Sequence, residues 1–101
     1  MIFVQGTMNL DPACIPEFEK DVAAMIDRVR AEDGCTFYSL LVEDAATGLV
    51  NVVEQWRDAA ALGVHFTMPW IAEFFAKYAP KMQASTVQIY DVAGDPRPLP
   101  V

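Results

Sequence analysis

The sequence predicts an α+β domain of ferredoxin-like order, β-α-β-β-α-α-β, with an antiparallel sheet. Three observations lead there. The spacing of apolar residues switches repeatedly between period two and helical period along the chain. Asp, Gly and Pro punctuate the switches. At 101 residues the chain holds one core, since a second would need more length.

Residues 1–9 alternate, with Ile2, Val4 and Met8 on one side and Phe3, Gln5 and Thr7 on the other, which reads as a strand. Asp11-Pro12 breaks it. From about Cys14 to Ala31 the period becomes helical: Ile15, Phe18, Val22, Met25, Ile26 and Val29 form the stripe, and Glu17, Lys20, Asp21 and Arg28 take the opposite arc. Pro16 fits the first turn, where its missing N–H costs nothing. Asp33-Gly34 ends this helix. Strands follow over 36–43 and 49–57, joined by the short loop 44–48 with glycine at its end, the pattern of a hairpin. Asp58 suits an N-cap for a short helix to about Phe66. Pro69 opens another helix, striped by Ile71, Phe74, Phe75, Tyr78 and Met82, which Pro80 kinks or ends. Residues 85–92 read as one last strand. The domain is expected over 1–93. The tail 94–101, with three prolines in its last six residues, reads as an extended arm or frayed end.

The middle strands carry apolar residues on both faces. Phe37 and Leu41 oppose Tyr38, Leu40 and Val42; Leu49 and Val53 oppose Val50, Val52 and Trp56. The helices cover one face, so a second copy is expected to cover the other. Burying four to six large side chains at ~1.5–3 kcal/mol each gives on the order of 10 kcal/mol before association costs. The prediction is a homodimer; the alternative is a monomer whose own tail covers that face.

Hydrophobic residues are 53% and charged residues 21% of the chain, which excludes intrinsic disorder. Fourteen acidic against seven basic residues give a formal charge of −7, an argument against nucleic acid and anionic membranes as partners. Two cysteines are too few for a secreted disulfide framework. No apolar run approaches the ~20 residues of a membrane span. The start MIFVQGTMNL has no basic segment before its alternating residues, so no signal peptide is expected, and a cytoplasmic location is.

His65 is the sole histidine and the one side chain whose ordinary pKa lies near neutrality. It falls at the edge of the short helix's stripe. It reads either as a proton-transfer group facing a cavity or as a satisfied, half-buried ring that caps a turn. Polar residues stand among apolar ones on the strands, including Gln5, Thr7, Asn9, Ser39, Asn51, Glu54 and Gln55; they line a pocket or bridge an interface. Glu54 shares a face with Trp56, and an ion pair with Arg57 or Arg28 is its simplest explanation. Phe66, Trp70, Phe74, Phe75 and Tyr78 form either core or an aromatic pocket wall, with Trp70 nearest the stripe's edge. Cys14 lies near a helix N-terminus, a position that lowers a thiol's pKa, but it has no second histidine to pair with. No metal-ligand cluster, phosphate loop or nucleophile elbow is present.

Asp33-Gly34-Cys35, Tyr38-x-Leu40, Glu54-Gln55-Trp56, then Leu62-x-x-His65 and Pro69 together resemble the antibiotic biosynthesis monooxygenase family, in the manner of its small quinol monooxygenases. The resemblance runs from about Asp33 to Phe75. It implies a dimeric α+β barrel and cofactor-free oxygenation, by dioxygen, of a small aromatic hydroquinone or polyketide-like phenol. It implies His65 as base or oxyanion partner, with Tyr38, Asn51 and Trp70 orienting substrate beside the aromatic wall of Phe66 and Phe74. Many relatives carry a second histidine where this chain has Trp70, so a two-histidine relay is not expected. His65 stands where the heme-degrading branch has a tryptophan, which argues against that activity. The alternatives are an isomerase using His65 for proton transfer and a non-catalytic dimer that binds a small apolar ligand.

Overall fold

The computed structural model describes all 101 residues. β1 (Ile2–Leu10) leads through a single 3-10 turn (Pro12–Cys14) into α1 (Ile15–Arg30); the hairpin β2 (Cys35–Asp44) and β3 (Leu49–Trp56) follows, then α2 (Ala59–His65), α3 (Pro69–Tyr78), and the short strands β4 (Met82–Ser85) and β5 (Gln88–Asp91). Asp11 caps the 3-10 turn, its side chain accepting from Ala13 N at 3.0 Å. Asp58 caps α2 in the same way, accepting from Ala61 N at 2.8 Å. α3 starts on Pro69, in the first turn, where no N–H is needed.

All pairings are antiparallel, in the order β2-β3-β1, with β4 and β5 sharing the far side of β1. Ile2 lies opposite Trp56 and Asn9 opposite Leu49, an unbroken ladder that fixes which face each β3 residue takes. Gly48 closes the hairpin at φ +77°; a Cβ there would lie 2.0 Å from the Leu10 carbonyl oxygen, so only glycine lets the turn pack against β1.

Two expectations need correction. The sheet does not close into a barrel: β2 pairs only β3, β4 and β5 pair only β1, and both edges stay open. Four strand positions are too few to curl around a core, which takes about eight; the helices enclose it instead. The last strand is also divided. Ser85 faces Met8 and Gln88 faces Gln5, so the register is kept across the gap. The break falls where Thr86-Val87 passes over Gly6, whose φ is +155° and whose added Cβ would stand 2.6 Å from Val87 Cα. There the Thr86 hydroxyl accepts from Thr7 N at 2.9 Å, and Thr86 N donates to Thr7 O at 2.8 Å.

The core lies between the sheet and the helices. Phe18, Ile15 and Val29 of α1, Val50 and Trp56 of β3, and Ile71 of α3 are fully buried there. Tyr78 donates to Asp21 at 2.6 Å and packs edge-on against Phe18, which pins α3 to α1. The opposite face of the sheet is open. Phe37 and Leu41 are 49% and 65% exposed, Tyr90 is 46% exposed, and Ser39, Asn51 and Gln55 stand among them. Residues 94–101 form no helix or strand, and every one of them is exposed, so the tail does not cover this face.

Candidate functional site

β2, β3 and β1 form the floor of a cavity of about 270 Å³ whose roof is the end of α2 and one side of α3. Val4, Leu40 and Val52 face it from the sheet, and Phe66, Phe74 and Phe75 from above. Eleven of its fourteen lining residues are hydrophobic, so a charge inside it is poorly solvated. One carboxylic acid lines it, Glu54.

Glu54 reaches the inner face because β3 alternates: Val50, Val52, Glu54 and Trp56 are buried, and the residues between them are not. The β2–β3 register sets Tyr38 directly across from Glu54, and Tyr38 lines the same cavity. Trp56 Nε1 donates to Glu54 Oε1 at 3.0 Å. Burial pushes the Glu54 carboxyl up, the Trp56 bond opposes this, and the nearby Glu32 charge adds to it; the outcome is about 7. Burial first, then the Glu54 and Glu32 charges, push the Tyr38 phenol far above its ordinary value, so it stays neutral and can donate. The expected arginine partner for Glu54 is not there. Arg57 binds Asp33 and Asp58 at the surface (3.1 and 3.0 Å), and the Arg28 guanidinium lies 5.9 Å from the Trp70 ring centroid.

His65 is 1% exposed. Its Nδ1 donates to Glu32, 3.0 Å from each carboxylate oxygen. Trp70 Nε1 donates to the same carboxylate at 3.1 Å. The imidazole packs on Trp56 with centroids 4.6 Å apart, and on Tyr38 and Phe66 at 5.5 Å each. It therefore lies behind the cavity wall, touching two residues that line the cavity without lining it itself.

The other expected site residues divide. Tyr38, Phe66 and Phe74 meet at the cavity. Trp70 lines a separate, open groove between α1 and α3. Asn51 lies on the other face of the sheet, opposite Thr7 and Leu41. Burial raises the Cys14 thiol, with the Asp11 charge adding to it, so the expected lowering by the helix end does not prevail. No three His, Cys, Asp or Glu side chains are grouped to hold a metal ion, and no helix is long and apolar enough to cross a membrane.

Glu32 has no signal in the sequence. It follows the last turn of α1 in a stretch that reads as a helix end, and only the tertiary fold brings it to a histidine 33 positions away. Glu54 carries a partial signal, a lone acid at an inward position of an otherwise apolar strand.

The family model for antibiotic biosynthesis monooxygenase matches residues 1–77. The chain is 32% identical to the uncharacterised Synechocystis protein sll1783 over 94 residues, 91% of this chain; it spans 63% of that relative's length. Among solved structures, Rv0793 from Mycobacterium tuberculosis superposes with a TM-score of 0.78 at 25% identity, covering 93% of this chain and 96% of its own. A structure described as an antibiotic biosynthesis monooxygenase superposes with a TM-score of 0.80 at 23% identity, covering 93% of this chain and all of its own, a likeness of fold.

Proposed function

Because the chain belongs to the antibiotic biosynthesis monooxygenase family, we propose that it oxygenates a small aromatic hydroquinone or phenol with dioxygen, without metal or organic cofactor, in the cavity under α2 and α3. The observation that carries this reading is the cavity itself: walled by aromatic side chains, mostly apolar, and holding one carboxyl. Roughly 150 Å³ of apolar cavity holds a benzene ring, so about 270 Å³ suits one or two fused rings.

A hydroquinone that loses a proton becomes an anion able to pass one electron to dioxygen. The two radicals combine at a ring carbon, and the peroxide then loses water. The sum is hydroquinone plus dioxygen giving hydroxyquinone plus water. The apolar walls stack on the ring, and a ring seated on them displaces water and leaves its anion in a low dielectric, where each fixed dipole counts for more. His65, held by Glu32, acts in this reading as a positioning residue that sets Tyr38 and Phe66 against the ring. The partner on the open sheet face is a second copy, seated on Phe37, Leu41 and Tyr90.

Oxygen uptake with a panel of benzene and naphthalene hydroquinones, in chelator-treated buffer, tests the reading. The expected result is uptake well above the buffer rate, lost when Val52→Trp fills the cavity. Uptake no faster than in buffer alone across the panel refutes it. A carboxyl near neutrality also suits proton transfer alone, as in an isomerase; turnover under argon supports that second reading.

A further inference from the structure

We propose that Glu54 is the group that takes the substrate's hydroxyl proton, and that its cross-strand partner Tyr38 donates through its hydroxyl to the oxyanion so formed. This rests on the cavity being the substrate site. In the step the substrate O–H bond breaks, the proton passes to a Glu54 oxygen, and the electron pair stays on the substrate oxygen.

Three observations carry it. The β2–β3 register makes Tyr38 and Glu54 cross-strand partners, and both line the same mostly apolar cavity. Each keeps a polar atom without a protein partner. Glu54 Oε1 accepts from Trp56, and Oε2 accepts from nothing. Tyr38 is engaged through its backbone carbonyl, which accepts from Arg30 at 3.3 and 3.1 Å, while its hydroxyl bonds no protein group. Neither atom is sealed off from the cavity space, so both are open to a ligand, and a phenolic hydroxyl engages both at once by donating to Glu54 and accepting from Tyr38. An ammonium ligand would serve only the carboxylate, since it accepts nothing. Finally, the histidine does not line the cavity: Glu32 holds its Nδ1, and its ring packs behind Tyr38 and Phe66.

The groups around Glu54 that can titrate or carry charge are few. Tyr38 and Cys35 belong to β2, His65 to α2, and Glu32 follows α1. Of these Tyr38 alone lines the cavity with Glu54; β1, α3, β4 and β5 present no ionisable side chain to it.

Binding of 2-naphthol and of naphthalene, followed by fluorescence between about pH 6 and about pH 8, separates this from other roles. The two ligands differ by the hydroxyl alone. 2-Naphthol is expected to bind about tenfold tighter at the upper end, because the hydroxyl donates better to an ionised carboxyl. Naphthalene is expected to bind more weakly there, because it strips water from that charge. Glu54→Gln, which keeps an acceptor for Trp56, is expected to flatten both profiles. The proposal is overturned if the two ligands share one pH dependence, if Glu54→Gln retains the opposed profiles, or if neither ligand binds. Oxygen uptake fails or succeeds independently. Opposed profiles without hydroquinone oxidation leave Glu54 as the phenol-reading group and remove the oxygenase; oxidation without opposed profiles removes Glu54 alone.

Discussion

Replacing Glu54 with glutamine should stabilise the protein at alkaline pH and much less at acid pH. The carboxyl is 7% exposed and sits at about 7 in the folded chain, against an ordinary 4.5. A carboxyl whose pKa is raised by folding binds its proton more tightly in the native state. Its ionisation therefore costs nothing below the unfolded value, costs progressively more as pH rises through the window from 4.5 to about 7, and reaches its full value above that. At 1.36 kcal/mol per unit, the full penalty is about 3 kcal/mol at pH ~8 and about 1 kcal/mol at pH ~5. The amide removes the ionisation while keeping the acceptor for Trp56 Nε1. Any packing cost of the substitution is the same at both pH values, so the difference between them is the informative quantity. Urea unfolding of both forms, with matched m-values, measures it. The variant should gain about 2 kcal/mol more at pH ~8 than at pH ~5. An equal change at the two pH values would falsify the assignment of Glu54 as a buried group near neutrality.

Three further outcomes follow from the same geometry. Glu32→Ala leaves the donors His65 Nδ1 and Trp70 Nε1 without their acceptor, at about 1–3 kcal/mol for each, and Trp70→Phe, which removes one donor and leaves the other paired, should cost distinctly less by urea unfolding. Gly48→Ala puts a Cβ 2.0 Å from the Leu10 carbonyl at φ +77° and should cost more than about 2 kcal/mol, seen as a lower denaturation midpoint. Leu41→Asp, at an exposed position of the open sheet face, should convert a dimer of twice 11.2 kDa into a monomer by light scattering, with 2-naphthol affinity retained; a wild-type mass of one chain at micromolar concentration refutes the dimer.

The order of elements was legible because it depends on local signals. Period-two runs became β1, β2 and β3, the stripe from Ile15 to Val29 became α1, and Asp58 and Pro69 open the two later helices. What stayed hidden was decided by contacts distant in the chain. The divided last strand comes from Gly6, which reads in the sequence as one residue of an alternating run. Its backbone lets Val87 approach closely, and the ladder breaks there. Barrel closure came from likeness to a family, with no signal in the residues themselves, and the two open edges overturn it.

The site was partly legible for the same reason. Of the residues expected at the site, Phe66 and Phe74, read as an aromatic wall, and Tyr38, implied by the family resemblance, share one cavity. His65 drew attention by its chemistry, yet chemistry alone says nothing of which way a ring faces. Its direction is set by Glu32, whose position depends on how α1 ends. The reverse holds for Glu54. A carboxyl beside apolar neighbours invites an ion pair as its explanation, and the two arginines in question are drawn to surface acids and to Trp70 instead. Left without a cation, the carboxyl keeps a proton affinity near neutrality and one free oxygen inside a cavity shaped for an aromatic ring. Its ionisation lowers stability at alkaline pH even with the Trp56 bond in place, so a fold under pressure for stability alone would replace it with an apolar residue. Its presence at the inward position paired with Tyr38, whose hydroxyl bonds no protein group, is the physical reason to look for function there.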